Sequence, residues 1–149
     1  MKKIFLLAGV AMAMLASCGG GTPTETSLSG LNSKDFEIKN DSVENHLYIL
    51  KNKAGMEVCC TNMGARIVSI MVSDKAGKMQ DVVLGFDSIG KYQRIPSDFG
   101  AAIGRYANRI NKGQITVDGK LIQLPPTHCG HTLPGGPPGW QYQYYVVKQ

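Results

Sequence analysis

The stretch GRYANRINKG, residues 104–113, sets Arg105, Asn108 and Arg109 around Tyr106. Arg105 and Arg109 each carry a rigid fork of five donors, and Asn108 both donates and accepts through one planar amide. Such groups suit a polyhydroxylated ligand, whose oxygens donate as well as accept. The ring of Tyr106 adds a flat apolar face for the carbon-bound hydrogens of a sugar ring. The plainer alternative is that Arg105 and Arg109 pair with nearby acids such as Asp98 or Asp118 and pin a loop. On residue types alone that is the default.

Other chemistry-bearing residues are less suggestive. HCGH, His128 to His131, crowds three metal-ligand types into a Pro/Gly-rich loop with no fourth at suitable spacing, so these read as surface residues and no metal site is expected. Cys59 and Cys60 adjoin on an expected strand, point to opposite faces and are poor disulfide partners for each other. With Cys129 they make an odd set beside Cys18. Asp81 and Asp87, in DVVLGFDS, read as solvated or structural. No residue is assigned a catalytic role.

The elements that must position the arginine cluster are short strands. Residues 1–17 have the layout of a signal peptide: two lysines, the apolar run IFLLAGVAMAML, then small residues. LASC, ending at Cys18, resembles the bacterial lipobox, which implies a lipid anchor on Cys18 and a place in the cell envelope. Several acyl chains at about 0.8 kcal/mol per buried methylene hold firmly. Residues 18–34 are rich in Gly, Ser and Thr and read as a tether, with the folded domain over 35–149. The formal net charge of +5 loses two units when Lys2 and Lys3 leave with the leader. No basic run with interleaved aromatics exists, so nucleic acid is not an expected partner.

From Asp35 on, turn signals divide HLYILKN, MEVCCTN, MGARIVSIMVSD and QDVVLGF into expected strands. Alternation is imperfect in ARIVSIMVS, where Ile67 and Ile70 fall on opposite faces, which predicts a strand covered on both sides. Residues 87–103 read as a long loop with room for one helical turn. Asp118 and Gly119 inside GQITVDGKLIQL give a hairpin signal. The Pro/Gly-rich stretch past Leu124 cannot be a central strand, and WQYQYYVVKQ alternates as another strand would. The fold class is all-β, a sandwich of antiparallel strands.

NMGARIVSIMVSDKAGKMQDVVLGFDSIGKY, FGAAIGRYANRINKGQITVDGKLIQL and GHTLPGGPPGW together resemble the N-terminal part of the aldose 1-epimerase (galactose mutarotase) family, over about residues 36–149. The resemblance implies a large β-sandwich, of which this chain is expected to be an incomplete part, and a monomer acting on a hexose such as galactose or glucose. In that family a glutamate takes the proton of the anomeric hydroxyl while a histidine protonates the ring oxygen. The ring opens and closes again as the other anomer, without metal or cofactor. Asn108 and Arg109 become the expected substrate-binding residues.

Two departures stand beside the match. The catalytic histidine and glutamate belong to the part of the family pattern that would follow Gln149, so this chain is expected to be inactive alone. The family's loop ending in LHGG is here THCGHTLPGG: Thr127 stands where asparagine is usual and Pro134 where a sugar-binding histidine is. Proline has no side-chain donor, and an unmade hydrogen bond to a sugar hydroxyl costs about 1–3 kcal/mol. The alternative is a non-enzymatic carbohydrate-binding lipoprotein that keeps Asn108, Arg109 and the aromatic run Trp140, Tyr142, Tyr144 and Tyr145 as a sugar platform.

Overall fold

The computed structural model describes residues 24–39, 42–133 and 139–148. The leader, Cys18 and Pro134 lie outside the described residues. Short strands β1 (Ile38–Lys39) and β2 (Glu44–Asn45) pair as an antiparallel ribbon. The main sheet is antiparallel in the order β3 (Leu47–Lys51), β4 (Glu57–Thr61), β5 (Arg66–Ser73), β6 (Met79–Asp81). One six-residue helix, α1 (Ile89–Arg94), follows, and then the hairpin β7 (Gln114–Val117) and β8 (Lys120–Gln123). The all-β expectation holds, with every strand pair antiparallel.

The hairpin closes as its sequence predicts, because Asp118 (φ 50) and Gly119 (φ 74) both adopt positive φ, the requirement of a two-residue turn that matches strand twist. β5 departs from expectation. Its imperfect alternation is a β-bulge, not coverage on both sides. Cys59 pairs with Ser69 but Cys60 pairs with Ile67, so Val68 is the extra residue. The bulge shifts the inward phase by one: Arg66 and Val68 point in before it, Ser69 and Met71 after it, and Ile67 stays exposed.

β6 is shorter than QDVVLGF suggested. The Asp81 carboxylate accepts the Ile70 and Val83 amides, both at 3.1 Å, taking up amides that a continued strand would use. WQYQYYVVKQ does not form the expected strand either. Trp140–Tyr142 is one 3-10 turn, and Tyr144 makes an isolated bridge to Met63.

The core joins Phe36, Leu47, Cys59, Met63, Val68 and the α1 residues Ile89 and Tyr92. Each large side chain there contributes about 1.5–3 kcal/mol by leaving water. A buried amide threads this apolar set: Asn45 donates to the Phe36 carbonyl at 2.7 Å and accepts from Thr61 Oγ1 and the Met63 amide, both at 2.9 Å. Every polar group it carries inward is thereby matched.

Residues 24–34, whose composition reads as tether, are folded onto the main sheet. Thr26 bridges Asn32, Ser27 is buried, and the Leu28 amide donates to Oε1 of the fully buried Glu57 at 2.6 Å. Lys51 Nζ lies 3.2 Å from the other Glu57 oxygen, an ionic contact without hydrogen-bond alignment, and 3.6 Å from Glu25. The partners come from β3 and β4, so local composition carried no sign of them. Glu57→Ala should leave the Leu28 amide unmatched, lower stability by about 1–3 kcal/mol, and raise amide exchange across residues 24–33 above that of β4. Exchange mass spectrometry checks this, and unchanged protection of Leu28 would refute it.

Burial pushes the Cys59 thiol up to about 11, with the Glu57 carboxylate adding to the effect. A folded pKa above the ordinary 9.0 means that stability is intact below that value and falls as pH rises through about 11. The unfolding free energy should therefore drop more steeply over that interval in the parent chain than in Cys59→Ala. Parallel denaturant titrations across the interval test the difference.

Candidate functional site

Two irregular segments meet at the start of β5. On one side, Ile67 donates to the Gly100 carbonyl at 2.9 Å and Ala102 donates to the Gly64 carbonyl at 2.9 Å. On the other, Gly64 donates to Gln143 at 2.7 Å and Tyr145 donates to Asn62 at 3.0 Å. Gly100 (φ +64) leaves no room for a side chain, since a Cβ there would run into the Ile67 carbonyl. The loop over 97–103 is thus zipped to the sheet edge and delivers Gly104 to the Trp140 ring, whose carbons occupy the space that a Cβ on Gly104 would need.

Beyond that contact runs the arginine cluster. The Arg105 guanidinium lies over the Trp140 ring, 5.8 Å from its centroid. Asn108 takes positive φ (62), and its Oδ1 accepts the Arg109 amide at 2.7 Å, a short side-chain turn that Asn tolerates better than most residues. Asn108 and Arg109 are both exposed. Among the described residues neither Arg105 nor Arg109 forms an ion pair, so pairing with Asp98 or Asp118 does not account for them.

Sequence reasoning set His131 aside as a surface residue, yet it lies against the cluster. Ile110 and Thr132 exchange backbone hydrogen bonds at 2.9 and 3.1 Å, and the Lys112 amide donates to His131 Nδ1 at 3.3 Å. In the neutral imidazole that bond puts the proton on Nε2. Thr132 is fully buried and donates from Oγ1 to the Pro125 carbonyl at 2.7 Å. Thr127, which departs from the family pattern, uses its hydroxyl to accept the Leu133 amide at 3.0 Å. His128 and Cys129 are exposed, and among the described residues no three His, Cys, Asp or Glu gather as metal ligands. The pairing of Ile110 with Thr132, distant in sequence, is a contact that no local pattern announces.

The aromatic run divides between two roles. Trp140 serves the Gly104 contact, while Tyr144 packs against the core and accepts from Gln93 Nε2 at 3.0 Å. A cavity of about 390 Å³ lies away from the cluster, between His46, Tyr48, Asn62 and Tyr145. His46 Nε2 and Glu44 Oε1 are 2.8 Å apart there, and that contact holds the Glu44 carboxyl below the usual carboxylate range. Neither Asn108 nor Arg109 lines it. The described face of the cluster is open to solvent.

A family model described as Aldose 1-epimerase matches residues 46–149. The chain is 36% identical to the aldose 1-epimerase of Escherichia coli (strain K12) over 104 residues, which cover 69% of this chain and 30% of that protein. It is 43% identical over 81 residues to the galactose mutarotase of Rattus norvegicus, covering 54% and 24%. Among solved structures, an aldose epimerase homologue from C. elegans superposes with a TM-score of 0.65 at 34% identity, over 70% of this chain and 32% of the other. The galactose 1-epimerase of Lactobacillus acidophilus superposes with a TM-score of 0.63 at 25% identity. The chain spans a third or less of the length of each of these proteins.

Since Trp140 is the one tryptophan of the sequence, its emission reports on the Gly104 contact. Gly104→Ala should expel the ring, shift the emission maximum to longer wavelength and cost about 1–3 kcal/mol of stability through overpacking. An unshifted spectrum would show that the ring does not rest on Gly104.

Proposed function

Because the chain belongs to the aldose 1-epimerase family, we propose that it carries the hexose-docking part of a mutarotase site. Asn108 and Arg109 hold the sugar hydroxyls, and His131 Nε2–H stands by as a third donor. The observation that carries this is the exposed cluster: two planar donor groups beyond a loop zipped to the sheet, with no carboxylate paired to either arginine among the described residues. Family membership turns that donor set toward a sugar, in line with the names of the E. coli and rat proteins.

Interconverting α and β anomers needs a proton acceptor at the anomeric hydroxyl and a donor at the ring oxygen, both in reach of one pyranose. Four of the described carboxylates are engaged elsewhere. Glu57 accepts Leu28, Asp81 accepts two strand amides, Asp74 accepts the Ala76 and Lys78 amides of its turn, and Asp87 pairs with Lys91 at 2.7 Å. That distribution supports sugar docking without turnover by these 149 residues. It equally fits a carbohydrate-binding role for the chain alone. We further propose that Cys18 carries a lipid anchor in the bacterial envelope. The fold begins by residue 24, so the anchor would hold the domain close to the bilayer.

The test combines two measurements on the 149-residue chain. Titration with galactose or glucose should give a saturable change in Trp140 emission, weakened about tenfold by Asn108→Ala or Arg109→Ala, the effect of about 1.4 kcal/mol. Polarimetry of fresh α-glucose should show no rate above the buffer blank. A faster approach to anomeric equilibrium would sink the claim of docking without turnover. An unresponsive Trp140 up to high millimolar sugar would sink the docking itself.

A further inference from the structure

Arg66 opens β5 with its side chain turned inward and no exposure at all. Its guanidinium faces the ring of Tyr92, 5.0 Å from the centroid, and forms no ion pair among the described residues. The hydrogen bonds go to three main-chain carbonyls instead. Nη1 donates to Ser97 at 3.1 Å and Phe99 at 3.0 Å, and Nη2 donates to Gln141 at 3.1 Å. Nε is buried with no partner.

That arrangement is a poor way to neutralise a buried cation and a good way to join two loops. A guanidinium kept for charge balance would face a carboxylate. Here one end holds the loop that delivers Gly104, and the other holds the residue directly after Trp140. Gly104 and Trp140 are the contact on which the Arg105 stack rests. The fork is planar and rigid, so the separation of its two Nη atoms fixes the spacing of the two segments. A lysine, with all its donors on one nitrogen, cannot reach carbonyls at both ends.

We propose that Arg66 is a positioning residue for the docking cluster: it clamps the 97–103 loop to the Trp140 segment and so sets where Asn108 and Arg109 stand. The sugar part of this rests on the function proposed above, and the clamp itself does not.

The experiment follows Trp140 without sugar and hexose affinity with it, in the 149-residue chain, for Arg66→Lys, Arg66→Met and the core control Val68→Ala. In Arg66→Lys a cooperative unfolding transition should persist, while acrylamide quenching of Trp140 rises about twofold and the hexose dissociation constant rises at least tenfold. Val68→Ala should lower the melting temperature and leave both readings at parent values. Arg66→Lys with parent quenching would overturn the clamp, and so would Val68→Ala reproducing its changes. Unfolding of both Arg66 variants beside a folded control would also overturn it, by making Arg66 a core requirement only. No hexose binding by the parent chain, together with raised quenching in Arg66→Lys, would sink the sugar reading and leave the clamp standing.

Discussion

A buried arginine that has no carboxylate must find carbonyls, and the way Arg66 finds them organises the molecule. Burial pulls its guanidinium below its ordinary pKa, against the opposing influence of Tyr92 and Asp98. The three carbonyls it holds belong to Ser97, Phe99 and Gln141, so a residue of the sheet dictates the path of two segments that belong to no strand. Irregular chain at a sheet edge ordinarily moves, because its amides and carbonyls can trade partners with water. The clamp removes that freedom where the chain turns toward the cluster. It also explains the close approaches around it, since Gly64, Gly100 and Gly104 each lie where another backbone or a ring fills the space of a Cβ.

Sequence reached the local features and missed the ones made at a distance. Asp118–Gly119 was legible because a two-residue turn is decided by its own φ angles. β3, β4 and the start of β5 were legible because their alternation and turn signals are local. The bulge at Val68 was not, since a phase change in one strand looks the same as two covered faces until its neighbour is known. Residues 24–34 read as a tether because Ser, Thr and Gly are poor core formers. What fixes them is Glu57, more than twenty residues away, which accepts the Leu28 amide.

The candidate site divides the same way. Asn108 and Arg109 were singled out by the resemblance, residue type alone having left loop pinning as the default. The neighbours that give them a setting were not: His131 arrives through the Ile110–Thr132 exchange, Trp140 through Gly104, and Arg66 through carbonyls, which every residue has. A motif fixes which donors are offered. Only the long-range contacts fix the direction in which they are offered, and affinity for a ligand with many hydroxyls depends on both.

The loop bearing the two departures shows how shape and chemistry separate. Thr127 keeps an acceptor for the Leu133 amide, and Thr132 stays anchored to Pro125, so the backbone up to residue 133 retains its tie to the cluster without the usual asparagine. Pro134 has no side-chain donor to offer in place of the usual histidine. The proposed docking face thus has one side-chain hydrogen-bond partner fewer for a sugar. Loss of one such partner costs about 1–3 kcal/mol, roughly one to two powers of ten in affinity. On the proposed reading that lowers the strength of docking, while the main-chain exchange between Ile110 and Thr132 keeps the loop tied to the cluster.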